Sequence, residues 1–172
     1  HIMVGPDVWM DTESNPDFIE DPTLYRAWRN QAAAEGLRVR VGRWNVPGRP
    51  TAILVDFKQF LTNQNEILTE FWKRFGVDSL TGNWDYRESA LFGYAAGRVI
   101  ESFWRFNLEP SDKVVAQFHE WMTGTGLLYL KSIEIPVATV FTTHATVIGR
   151  CIAGNNLPLY DGILDYNADE KA

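Results

Sequence analysis

The sequence predicts an α/β domain of parallel strands flanked by helices, and three observations carry that reading. Residues 114–118, 122–133 and 136–142 alternate strand, helix and strand. Both strand runs are too continuously apolar for a sheet wetted on one side, so they are expected to be parallel strands buried on both faces. Over residues 86–106 the pairs Leu91/Phe92, Ala95/Ala96, Val99/Ile100 and Phe103/Trp104 recur at helical spacing, which predicts a long core-facing helix. Finally, 172 residues at 45% hydrophobic and 22% charged make one globular domain with a real core, and exclude disordered, collagen-like and low-complexity classes.

The remaining elements follow in order. Residues 6–22 mix turn formers and acids, among them Asp11, Asn15, Pro16 and Asp17, and predict a surface excursion. Asp21-Pro22 then offers an N-cap acceptor followed by proline at a first helical position. Leu24, Tyr25, Trp28 and Ala32 keep helical spacing until Gly36, so a helix is expected over 22–35. Residues 37–41 alternate apolar and charged, residues 51–57 form a more continuous run, and Val46-Pro47-Gly48 turns between them, which predicts a hairpin. Residues 59–75 place Phe60, Leu61, Ile67, Leu68, Phe71, Trp72 and Phe75 on one side of a helix that Gly76 ends. A polar connection over 78–85 leads into the long helix, and Glu109-Pro110-Ser111 breaks the chain after it.

Charge and composition narrow the function. A net charge of −6 argues against a nucleic-acid binder that depends on neutralising phosphates. The longest apolar runs are far shorter than a membrane span. The single cysteine, Cys151, fits a reducing cytoplasm. Aromatic residues make up 13% of the chain, including seven tryptophans, a content that suits stacking on sugars. The pairs Phe71/Trp72 and Phe103/Trp104 fall on apolar helical stripes and read as core. Trp44, Trp84 and Trp121 lie at element ends and are the better sugar platforms.

Ligands of open parallel sheets bind beyond the carboxyl ends of the strands. Two strands here end in polar side chains, one at His119-Glu120-Trp121 and the other at Thr142-Thr143-His144. A single histidine at a strand end is commonly a hydrogen-bonded structural group. Two at equivalent ends of neighbouring strands point to a site. His119, Glu120 and His144 could supply three metal ligands, but no Glu-x-x-His or Cys-x-x-Cys spacing supports a metal, and none is expected. No Gly-x-Ser-x-Gly elbow suggests a nucleophilic triad. Gly124-Thr125-Gly126 either donates backbone N–H groups to an anion or permits close helix packing. Arg150, on a helix expected to begin near Thr146, either faces the same cleft or is a solvated helix arginine.

Several blocks together resemble the glycogen synthases of the animal and fungal type. They are Val4-Gly5-Pro6, Val41-Gly42-Arg43-Trp44, Leu91-Phe92-Gly93, the stretch from Val114 through Phe118-His119-Glu120-Trp121, and the stretch from Pro136 through Thr142-Thr143-His144-Ala145-Thr146 to Gly149-Arg150. The resemblance spans nearly the whole chain. It implies a Rossmann-like, mostly parallel sheet flanked by helices, in a retaining glycosyltransferase of two Rossmann domains. Such an enzyme passes glucose from UDP-glucose to the non-reducing 4-hydroxyl of an α-1,4-glucan, needs no metal or other cofactor, and has glycogen as its acceptor.

By the same resemblance His144 stabilises developing positive charge and holds a sugar hydroxyl. Glu120 is catalytic beside the glucosyl and acceptor hydroxyls, and His119, Thr143 and Arg150 bind substrate. Residues 1–172 are then expected to be a single N-terminal Rossmann-like domain fragment. It would lack the family's first strand, with its phosphate loop, and the C-terminal nucleotide-binding domain, and would be inactive alone. Absence of a mid-sheet strand would leave open edges, so the chain is expected to pair with a second copy, as a homo-oligomer, or to rearrange its sheet. The competing expectation is a non-catalytic glucan- or partner-binding module that uses Trp44, Trp84 and Trp121.

Overall fold

A computed structural model describes residues 1–8, 17–162 and 164–167. Six strands, β1 (Ile2–Pro6), β2 (Phe18–Glu20), β3 (Val39–Trp44), β4 (Thr51–Val55), β5 (Val115–His119) and β6 (Ala138–Thr142), are joined with five helices. The helices are α1 (Arg26–Ala34), α2 (Gln64–Phe75), α3 (Trp84–Asn107), α4 (Gly124–Ser132) and α5 (Val147–Gly154). The fold is α/β with parallel pairing, as expected. Its strands form two sheets, one ordered β1-β4-β3-β2 and the other β5-β6. β1 runs parallel to β4 and β5 parallel to β6, while β3 pairs antiparallel with both β4 and β2.

The hairpin, the long helix, the Gly76 stop and the strand–helix–strand run are all present. Gly76 closes α2 at φ 67°, the left-handed conformation that favours glycine. Other expectations need correction. Helix α1 starts at Arg26, because the Asp21 carboxylate caps a turn instead: its Oδ1 accepts from the Thr23 amide at 2.9 Å, and Tyr25 then sits at φ 50°, off the helical path. The supposed excursion over 6–22 holds strand β2 at its end, while Asp11, Asn15 and Pro16 lie outside the described residues. Residues 58–63 wind as a tighter helical turn before α2 begins. Strands β5 and β6 are not buried on both faces: Val115, Val140 and Phe141 are exposed. Trp72 is likewise exposed, and only its neighbour Phe71 is core.

Helix α3 is the spine. Its face through Leu91, Ala95 and Val99 closes the main core over β3, β4 and α1 with Trp28, Val41, Ile53 and Val55. The Trp28 indole donates to the Ser102 hydroxyl at 3.1 Å, so the buried N–H is satisfied. A second cluster, Ala116, Phe118, Leu130 and Val137, holds β5 and β6 against α4, with Ile100 and Trp104 of α3 beside it. Between the two sheets a cavity of about 520 Å³ is lined by Ile2 and Val4 of β1, Ala96 and Val99 of α3, and Val115 and Gln117 of β5. No described strand pairs with β1 or β5 across it.

Candidate active site at the ends of β5 and β6

Parallel pairing in register sets His119 opposite Thr142, so both strands release their chains at one edge. Three residues meet there. His119 Nδ1 and His144 Nε2 are 2.9 Å apart, one ring's N–H donating to the other's nitrogen, and the rings lie nearly parallel at 5.1 Å. Glu120 follows at φ 64°, a backbone region that residues other than glycine rarely adopt, and its amide donates to the Thr142 carbonyl at 2.9 Å. The turn after β5 is held by Thr123, whose hydroxyl donates to the His119 carbonyl at 2.8 Å.

The Glu120 carboxylate crosses to the other strand end. Its Oε1 accepts from the backbone N–H groups of His144, at 2.5 Å, and Ala145, at 3.1 Å. Those hydrogen bonds, His144's first, outweigh a smaller desolvation effect and hold the carboxyl below its ordinary value; the charges of His144 and Arg150 add to the lowering. Glu120 is therefore ionised at neutral pH, and it ties the segment that carries His144 to the end of β5.

Each predicted position can be located. His119, Glu120 and His144 are in mutual contact. Arg150 lies on α5, which Thr146 caps by accepting from the Gly149 amide at 3.0 Å; it is exposed, and its charge reaches Glu120. Thr143 is exposed beside His144, and its hydroxyl makes no hydrogen bond among the described residues. Within Gly124-Thr125-Gly126, Gly126 serves close packing: a Cβ there would meet the Gly93 carbonyl oxygen of α3 at 2.5 Å. The Thr125 hydroxyl donates to the Ala90 carbonyl at 2.6 Å. Among the tryptophans, Trp44 is half-buried with its ring against Phe18, whereas Trp84 and Trp121 are 49% and 54% exposed. Trp121 stands next to Glu120 and stacks on Tyr86, a brace that single-residue reasoning missed; the only cue was Tyr86 at the head of the long helix.

The glycogen synthase family profile matches residues 1–172. The chain belongs to the glycogen synthase family. It is 33% identical over 161 residues to a glycogen (starch) synthase of Dictyostelium discoideum, covering 94% of this chain and 18% of that protein. A Rattus norvegicus liver glycogen (starch) synthase is 31% identical over 137 residues, or 80% of this chain and 19% of the relative. A Caenorhabditis elegans relative is 29% identical over the full chain, which spans 26% of it. This glycogen synthase family chain thus spans between about a fifth and a quarter of the relatives it matches. No described helix is long and apolar enough to cross a membrane.

Proposed function

We propose that the chain is the acceptor-side half-site of a retaining glucosyltransferase that moves glucose from UDP-glucose to the non-reducing 4-hydroxyl of an α-1,4-glucan. One observation carries this reading: His119, Glu120 and His144 converge at the carboxyl ends of two parallel strands, inside the blocks that mark the family. In the reaction the bond between the glucosyl C1 and the diphosphate oxygen breaks, UDP leaves with the electron pair, and the acceptor O4 forms the new bond and gives up its proton. Positive charge develops at the glucosyl ring, where preorganised polar groups are most effective. His144 offers its ring there, Glu120 offers its remaining oxygen to sugar hydroxyls, and His119 fixes the His144 ring. Thr143 and Arg150 bind substrate at the same edge.

The groove between β1 and β5 supports the view that a strand outside this chain completes the sheet. Among the described residues it is flanked by two open strand edges, and Trp104, which lines it, keeps a buried indole N–H with no partner there. A second domain would then bring the groups for the nucleotide, in a cytoplasmic enzyme, as the lone Cys151 suggests.

The test is glucosyl transfer by the full-length protein from UDP-glucose, and separately ADP-glucose, onto glycogen. Activity in the full-length protein and none in the 172-residue chain is the expected result. In that protein His144→Ala is expected to lower kcat at least a hundredfold with no change in thermal midpoint, because the side chain is exposed and adds little to the core. A full-length protein that binds glycogen yet transfers nothing, and is indifferent to His144→Ala, would establish a binding module instead. Exposed Trp84 and Trp121 would then be its platforms.

A further inference from the structure

We propose that the open cleft between α1 and the head of β3 binds a phosphoryl oxyanion. The cleft has a volume of about 720 Å³. Arg26, Arg29 and Asn30 of α1 form one wall, Arg38 the other, and Gln59 closes the end, while no Asp or Glu among the described residues lines it. Three guanidiniums around one concavity are not what a chain of net charge −6 produces by average composition.

Two of the arginines are held in place without being used up. Arg29 Nη2 donates to Glu20 at 3.3 Å, and Arg38 Nη1 lies 3.6 Å from Asp56. A guanidinium carries five N–H donors, so each keeps most of its fork for a ligand. Arg26 makes no ion pair among the described residues. Gln59 is anchored by donating to the Asp56 carbonyl at 2.9 Å. Its place in the sheet fits as well: Val39 pairs with Val55, so the head of β3 lies at the carboxyl end of β4, the edge where α/β sheets take ligands. A carboxylate is planar and is satisfied by one arginine fork. A phosphoryl group presents oxygens in several directions and can engage guanidiniums from both walls.

Amide resonances of the 172-residue chain, titrated at about 0.15 M salt with inorganic phosphate, ribose 5-phosphate and acetate, test this. Saturable shifts confined to residues 26–30 and 36–39 are expected for the two phosphates and not for acetate. Arg26→Gln and Arg38→Gln are each expected to weaken binding about tenfold, the order for one charge-assisted contact. Tighter binding of ribose 5-phosphate would mark a phosphorylated small molecule as the ligand, and equal binding free phosphate. Arg26 is exposed and makes no ion pair among the described residues, so Arg26→Gln decides the matter even if Arg38→Gln perturbs the fold through Asp56. Unchanged binding by Arg26→Gln, equal shifts with acetate, or no saturable shift would overturn the proposal.

Discussion

Glu120 shows how much of the site is architecture. Its carboxylate accepts two backbone N–H groups of the facing loop, so it positions the segment that carries His144. The folded carboxyl titrates below its ordinary value of 4.5, which fixes the sign of a pH effect. A depressed folded pKa stabilises the loop fully above the unfolded value and loses that contribution only as pH falls through the lower, folded value. Protection of the His144 and Ala145 amides, taken against the intrinsic exchange rate at each pH, is therefore expected to persist at pH 4.5 and to fall only in stronger acid. Glu120→Gln should speed both amides about tenfold at neutral pH, since a neutral amide accepts more weakly than a carboxylate. Equal exchange in the two proteins would show that the loop is held by something else. The sequence could indicate His119 and His144 because both end strands, but not this cross-link, because a backbone N–H leaves no trace in residue identity.

At the scale of elements, the spine α3 and its neighbour α4 touch through glycines. A Cβ on Gly126 would meet the Gly93 carbonyl oxygen at 2.5 Å and the Phe118 ring at 2.8 Å, so Gly126→Ala must push the helices apart. It is expected to cost about 1–3 kcal/mol in urea unfolding, the range for overpacking. Gly154→Ala, with nothing within 4 Å, is the control and should change stability by no more than about 1 kcal/mol, upward if at all. Comparable losses in both would remove close packing as the reason for Gly126. Long periodic elements were legible: the repeat from Leu91 to Trp104 and the apolar runs of β5 and β6 report their own type. Short ones were not. β2 is three residues long, and only its partner betrays it: a Cβ on Gly42 would meet the Ile19 carbonyl oxygen at 2.2 Å, so β3 needs glycine where β2 lies close. Arg40 completes that junction by pairing with Glu20 at 2.9 Å. Apolar content also misled about β5 and β6, whose exposed faces carry Val115, Val140 and Phe141 with nothing among the described residues to cover them.

For the whole molecule the decisive feature is the gap between its sheets. Among the described residues β1 pairs only with β4 and β5 only with β6, which leaves two strand edges facing one groove, with Val115 beside it 64% exposed. Unpaired edges next to apolar surface promote pairing with another chain, and lysine on an edge is a common block to it. The isolated chain is therefore expected to self-associate, its weight-average mass rising above 19.6 kDa as concentration increases in sedimentation velocity. Val115→Lys should shift that rise to at least severalfold higher concentration without unfolding the chain, because the side chain points to solvent. A longer protein that supplies a strand to the groove should show no such association and should slow amide exchange along both β1 and β5. A chain that stays monomeric at every concentration while those amides exchange rapidly would show that the edges are tolerated in water, and would remove the energetic argument for a strand between them.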